Sequence, residues 1–301
     1  GCGYDEYYKI SATEIKEQIT KFRLSFQLLM QLFCQEEFLR RISYSEFQNK
    51  LVLKGGLFLY LITNFESRPT MDIDFLMKNW SNEDDKIMEM IRSIINTISA
   101  NEFIKFEIKS LNHISEQKEY HGVRIKMIGV VGNTRTPFDI DIGVGDVVIP
   151  RPNKRKLDVL LPEFSSPEVL TYSLESTIAE KWDAIIDRME FNSRMKDFYD
   201  IYYLAMNYDF DGRKLQEAIF ETLDNRGRIY DKNTLKKVSS FKKDRQIVLR
   251  WNAFVQNTIK VDIDFDDVIN VITDFIREPF ESIIYERELF LRWSKSDGEW
   301  N

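Results

Sequence analysis

Apolar and polar residues alternate along this chain with two different periods, and the places where the period changes set out its elements. Residues 12–42 put apolar side chains at helical spacing among charged ones, which predicts one or two amphipathic helices with Ser11 as N-cap. "LVLK" at 51–54 then predicts a buried strand, Gly55-Gly56 a turn, "LFLYLIT" at 57–63 a short helix, and "TMDIDFLM" at 70–77 a second strand. Residues 82–99 open with carboxylates in the first turn, which suits the positive end of a helix dipole, and keep their apolar residues on one face. The period then drops to two, and 103–111, 122–131 and 137–145 alternate as strands between polar turns.

Beyond "IPRPNKRK" at 149–156, whose prolines and four basic residues mark a boundary, the period is helical again. Helices are expected at 175–189, 194–207, 212–223, 233–238, 242–257 and 266–277. The expected fold class is α+β with a mixed sheet, followed by a helical domain. The domains are placed at 1–155, an α+β domain with N-terminal helices, and at 156–301. No internal repeat or low-complexity tract interrupts either half.

Composition narrows the function classes. The 301 residues are 43% hydrophobic, enough for a sizeable core, and 30% charged with both signs interleaved. A net charge of −7 argues against nonspecific coating of nucleic acid, whose affinity comes from many Lys and Arg contacts to phosphate, but leaves room for a local basic site. Two cysteines make no disulfide framework, and Cys34 falls inside an apolar helical pattern, so a buried thiol in a reducing, cytoplasmic context is expected. No apolar run is long enough to span a bilayer, and "GCGYDEYYKI" lacks the apolar core of a signal peptide, so no membrane association is expected. The "GCG" start is taken as a processed or added end and left out of the fold reasoning.

The candidate chemistry begins at "MDIDF". Residues i and i+2 of a strand share a face, so Asp72 and Asp74 present their carboxylates side by side while Ile73 and Phe75 face the core. Adjacent anions repel, and a divalent cation holds them together; oxygen ligands favour Mg²⁺ or Mn²⁺. "PFDIDIG" offers a third carboxylate, Asp141 or Asp139, on a later strand. Three carboxylates on neighbouring strands can clamp two ions about 4 Å apart for phosphoryl or nucleotidyl transfer. Gly55-Gly56 fits the same chemistry, because glycine lets the backbone approach a phosphate and the following helix aims its N–H groups at it. A second "DID", Asp262 and Asp264, precedes an apolar helix and is assigned to N-capping.

In the second half, Glu180 and Lys181 share one expected helix. Arg194, Lys196, Asp197 and Asp200 open another, with Ser193 as its N-cap. The bland account is a solvated helix start with internal ion pairs. The functional one has Lys181 meeting phosphate while an aspartate positions it or assists the attacking hydroxyl. His113 and His121 flank a polar loop with no partner cluster, and "DFYDIYYLAMNYDF" is assigned to core packing.

Taken together, "FQLLMQLFCQEEFLRRIS", "FQNKLVLKGG", "RPTMDIDF", "FDIDIGVGDVVIP" and "TIAEKWDAII…NSRMKDFYDIYYLA" resemble the AbiEii-type nucleotidyltransferase toxin family, from about residue 20 to 207. These are the toxin halves of bacterial and phage-defence toxin–antitoxin systems. The resemblance implies a DNA polymerase β-like nucleotidyltransferase core, an NTP substrate with Mg²⁺, and a cognate antitoxin. It also implies toxicity by nucleotide transfer to RNA, at the acceptor end of tRNA. It carries the metal-binding carboxylates to Asp72, Asp74 and Asp141, the last preferred over Asp139 because the match runs through "IDIGVGD". It carries nucleotide binding to Lys54, Gly55, Gly56, Lys181, Arg194 and Lys196, and catalytic roles also to Lys181, Asp197 and Asp200, so the helical domain is expected to complete the site. Met71 stands where a basic residue is expected, with Arg68 as its substitute. Two competing functions share these residues: transfer to a protein side chain, and a nucleotide-binding regulator without catalysis. Basic stretches at 151–156 and 236–245 are the candidate RNA contacts.

Overall fold

The structure is a computed structural model that describes residues 12–22, 24–99, 103–114 and 122–301. Cys2, Ser11 and His121 lie outside the described residues. Two compact units emerge, one from residues 1–145 and 153–171, the other from 146–152 and 172–301.

The first unit is built on a seven-stranded mixed sheet. Helices α1 (Ala12–Phe22) and α2 (Phe26–Tyr44) lead into β1 (Leu51–Lys54), α3 (Gly55–Ile62), β2 (Asp72–Met77) and α4 (Asp84–Ile95). Strands β3 (Ile104–Ile114), β4 (Gly122–Val131) and β5 (Thr134–Gly143) form a meander, and β6 (Asn153–Lys156) and β7 (Glu168–Thr171) complete the sheet in the order β3-β4-β5-β2-β1-β7-β6. Pairings are antiparallel except β1 with β7 and β2 with β5. "NKRK" is thus an edge strand, where Lys and Arg discourage further strand addition.

Helix α2 organises this unit. Ser25 caps it by accepting from the Leu28 N–H, and from Leu29 to Ile42 every side chain is buried. Buried polar residues must be paired, and these are. Arg40 bridges Glu36 and Glu37 on its own helix at 3.1 and 2.6 Å and donates to the Ser165 carbonyl. Arg41 pairs with Glu37 and donates to the carbonyls of Ile95 and Ile104, while Glu36 accepts from the Leu160 N–H and Glu37 from Ser99. Burial pushes the Glu36 carboxyl up to about 7, against the opposing pull of Arg40. Four surrounding segments are therefore tied to one helix through charge-assisted hydrogen bonds.

Cys34 is fully buried, and burial pushes its thiol up to about 12. Its sulfur and Cβ lie too close to Gly129 of β4 to leave room for a Cβ there, so the glycine lets α2 close on the sheet.

The second unit is helical: α5 (Leu174–Arg188), α6 (Met195–Asn207), α7 (Gly212–Asn225), α8 (Thr234–Ser239), α9 (Arg245–Phe254) and α10 (Phe265–Ile284). It also holds a small sheet that periodicity did not predict, β8 (Phe210–Asp211), β9 (Arg292–Ser294) and β10 (Glu299–Trp300). Strands of two or three residues are too short to show a period of two. Helix α10 runs past the expected end at 277, through Pro279 to Ile284, because Phe275, Ile276, Pro279 and Phe280 continue its buried stripe. Asp264 caps it by accepting from the Asp266 N–H, so the second "DID" is a helix start. Ser193 does not cap α6: the Arg194 N–H donates to Asn192 Oδ1 and the helix begins at Met195. Phe198 packs against Phe241 and Phe265, as expected of core.

Gly129→Ala should lower stability by about 1–3 kcal/mol through overpacking, measured by urea denaturation. Adding Cys34→Ala should recover part of the loss; additive losses would place the strain elsewhere.

Candidate active site

The parallel pairing of β2 with β5 sets Asp72 beside Asp139 and Asp74 beside Asp141, while Ile73, Phe75, Ile140 and Ile142 are buried. Alternation along both strands then gives one face four carboxylates and the other a hydrophobic layer. Two glutamines one turn apart on α2 secure this pair: Gln35 donates to the Met71 carbonyl at 2.7 Å, and Gln31 to the Pro137 carbonyl at 3.1 Å. The backbone just before each carboxylate pair is thereby tied to the same helix.

The electrostatics show crowded anions. The Asp72 carboxyl is raised above the ordinary carboxylate range, first by burial and then by Asp74 and Asp141, with Asp139 contributing least. Arg124 on β4 opposes this. The β4–β5 register sets it opposite Asp141, and its guanidinium forks onto that carboxylate with two bonds of 2.8 Å. Among the described residues, no three His, Cys, Asp or Glu side chains are gathered as a ready-made cation cage. Asp141 is held by Arg124 instead. The donor set still suits a hard divalent ion, since it is all carboxylate oxygen and burial with neighbouring carboxylates raises Asp72 despite Arg124.

Gly55 and Gly56 open α3 beside these carboxylates. Gly55 has φ +74°, and a Cβ there would come within 2.5 Å of Asp74 Oδ2. A Cβ on Gly56 would meet the Arg68 guanidinium at 3.0 Å and Thr70 Oγ1 at 3.0 Å. The glycine pair thus has a steric cause in this fold: it admits Asp74 on one side and the buried Arg68 on the other. Lys54, directly opposite Asp74 in the β1–β2 register, occupies the N-cap of α3 without a side-chain capping bond. Met71 is half exposed, and Arg68 supplies the positive charge beside the α3 N-terminus.

On the helical unit, Lys181 of α5 is buried against α6, its Nζ at 3.2 Å from Asp197 Oδ1 and 3.3 Å from Asp200 Oδ2. Arg194 Nε lies 3.2 Å from the other Asp197 oxygen. Lys196 is half-buried on the same first turn. The predicted Lys181–Asp197–Asp200–Arg194 cluster therefore exists as a buried ion network. Sequence reasoning missed a second network in this unit. Arg226 reaches Asp146, Glu180 and Asp183 at 3.2, 2.9 and 2.8 Å, and Arg228 reaches Asp183 and Asp187 at 2.7 and 2.6 Å. Glu180 also accepts from the Tyr172 hydroxyl. It ties the 146–152 segment to α5, so Glu180 is a structural neighbour of Lys181. Among the described residues, His113 contacts Asp84 at the surface.

A mixed sheet presenting paired aspartates beside a Gly-Gly helix start, joined to a helical unit, defines a nucleotidyltransferase-type α+β protein. The profile of the family described as "Nucleotidyl transferase AbiEii toxin, Type IV TA system" matches residues 37–285. The chain belongs to that family, a family of nucleotidyltransferase toxins that act opposite antitoxins. Two solved Helicobacter pylori structures share the fold. One, described as a candidate nucleotidyltransferase, is 15% identical with TM-score 0.50, covering 86% of this chain and 99% of its own. The other, JHP933, is 16% identical with TM-score 0.52, covering 87% and 97%. No match was found among curated protein sequences. No described helix is long and apolar enough to cross a membrane.

Lys181→Met should destabilise the protein by about 3–5 kcal/mol, because Asp197 and Asp200 would stay buried after losing the ammonium they share. Adding Asp197→Asn and Asp200→Asn should restore most of it in chemical denaturation. If the single change costs nothing, the network has no structural weight.

Proposed function

We propose that this protein transfers a nucleoside monophosphate from an NTP to RNA, at the acceptor end of tRNA, and so arrests translation. The observation that carries the reading is the alignment of Asp72 with Asp139 and of Asp74 with Asp141 on one sheet face, beside Gly55 and Gly56. Asp72, Asp74 and Asp141 would hold Mg²⁺ or Mn²⁺. Bound there, the metal would supply electrostatic stabilisation of the phosphoryl oxygens and of the attacking hydroxyl. The chain's own groups do the rest. The α3 N-terminus, with Gly55, Gly56, Lys54 and Arg68, receives the triphosphate. Lys181 is assigned a further phosphate contact, positioned by Asp197 or Asp200, with Arg194 and Lys196 beside it. The acceptor hydroxyl gives up its proton to solvent as its oxygen bonds to the α-phosphorus; the bond to the bridging oxygen breaks, and pyrophosphate leaves with those electrons.

The RNA acceptor is favoured by the basic segment 236–245. Its Lys236, Lys237, Lys242, Lys243 and Arg245 form no ion pair among the described residues, although the chain is acidic overall. Lys237 and Lys243 line a cavity of about 450 Å³ with Ser240 and Phe241. Local contacts occur in both basic segments: Lys242 donates to Asn270, Lys154 donates to Gln48, and Arg155 lies over the Phe58 ring. Phosphate contacts of this kind position a nucleic acid without reading its sequence.

The test is incubation with Mg²⁺, each α-labelled NTP in turn, and either tRNA or lysate protein. Label should enter tRNA and be lost with Asp72→Ala, which should fold normally by circular dichroism. Label in protein would move the acceptor to a side chain. Transfer by Asp72→Ala at the wild-type rate would overturn the metal assignment.

A further inference from the structure

The Arg124–Asp141 fork has a consequence for how the site accepts its ligands, if the carboxylates hold metal as proposed above. Arg124 Nε and Nη2 each bond a different oxygen of Asp141 at 2.8 Å, and Nε lies 3.9 Å from Asp139. A planar fork matched to a carboxylate is the strongest form of such a pair and occupies both oxygens at once. Arg124 is therefore the resident cation of this anionic face: its charge counters the repulsion that raises Asp72. It also borders solvent, so an incoming anion can reach it. Its side chain is 41% exposed, whereas Asp141 is 17% exposed and fixed on its strand.

We propose that Arg124 is a positioning residue that holds Asp141 while the site is empty and hands it over when nucleotide and metal bind together. A divalent ion and a guanidinium cannot share one carboxylate without mutual repulsion, so Arg124 competes with metal at Asp141. An incoming triphosphate offers the guanidinium a second anion of higher charge. Turning to it frees Asp141, and metal and nucleotide each strengthen the binding of the other. Metal alone binds weakly, and the site forms its ion clamp only around substrate.

The experiment measures Mn²⁺ binding to the full chain by electron paramagnetic resonance of the free ion. It is done with and without a non-hydrolysable NTP analogue, for wild type, Arg124→Gln and Arg124→Lys. For wild type, the analogue should tighten Mn²⁺ binding by about tenfold or more, within the usual range of coupling between sites. Arg124→Gln should bind Mn²⁺ about tenfold tighter than wild type without nucleotide, and the analogue should no longer tighten it. Arg124→Lys keeps the charge without the fork; it should fall between the two and serves if the glutamine variant fails to fold. A folded variant that binds Mn²⁺ as weakly as wild type without nucleotide overturns the proposal, as does coupling that survives in Arg124→Gln. If Asp72→Ala binds Mn²⁺ with nucleotide as wild type does, it is the metal assignment itself that fails.

Discussion

Everything at the candidate site depends on one backbone constraint, the parallel, in-register pairing of β2 with β5. Side chains alternate along a strand, so a slip of one residue would turn Asp139 and Asp141 into the core and put Ile140 and Ile142 on the polar face. The buried isoleucines and phenylalanines on the opposite side forbid that slip. The hydrophobic layer thus does more than stabilise the unit: it decides which way the carboxylates face. Gln31 and Gln35 reinforce the choice by fastening both strands to α2.

Helix α2 shows a different use of polarity. Its glutamates and arginines are buried because each serves as a connector, bonding to carbonyls, an N–H and a hydroxyl of the segments around the helix. A buried ion network of this kind gives little net stability over an apolar core, but it is unforgiving of misplacement, since every unpaired charge costs several kcal/mol. The same holds for Lys181 with its two aspartates and for Arg226 with its three carboxylates. In all three networks a strongly charged sequence has been turned inward to fix geometry, which fits a chain with 30% charged residues and a sizeable core.

What the sequence made legible was local. The period of two in "MDIDF" placed Asp72 and Asp74 on one face, and "FDIDIG" did the same for Asp139 and Asp141. The N-capping role of Asp264 followed from single-residue chemistry, whereas Gly55 and Gly56, expected as a turn, are the first turn of α3, where Asp74 and Arg68 leave no room for a Cβ. Arg124 was hidden because its importance comes from register: "GVRIKM" shows only a polar position on a strand, and its partner is fixed by how β4 meets β5. Arg226 was hidden for a like reason, since the carboxylates it joins come from α5 and the 146–152 segment. The short strands β8 to β10 carry too few residues for any pattern, and α10 exceeded its expected end because burial overrode the helix-breaking tendency of Pro279.

The same β2–β5 pairing also governs when in the life of the chain the site comes into being. The two strands are separated in sequence by α4, β3 and β4, and a parallel pair cannot be closed by a tight turn. Their union requires the intervening meander to be in place, and contacts of such long range form late because the entropy of closing the chain comes before the gain. A nascent polypeptide that has emerged only through β2 has one pair of aspartates and nothing to set beside it. The four-carboxylate face is thus absent from the early chain and appears only once β5 has been made and paired, well before the helical unit is complete.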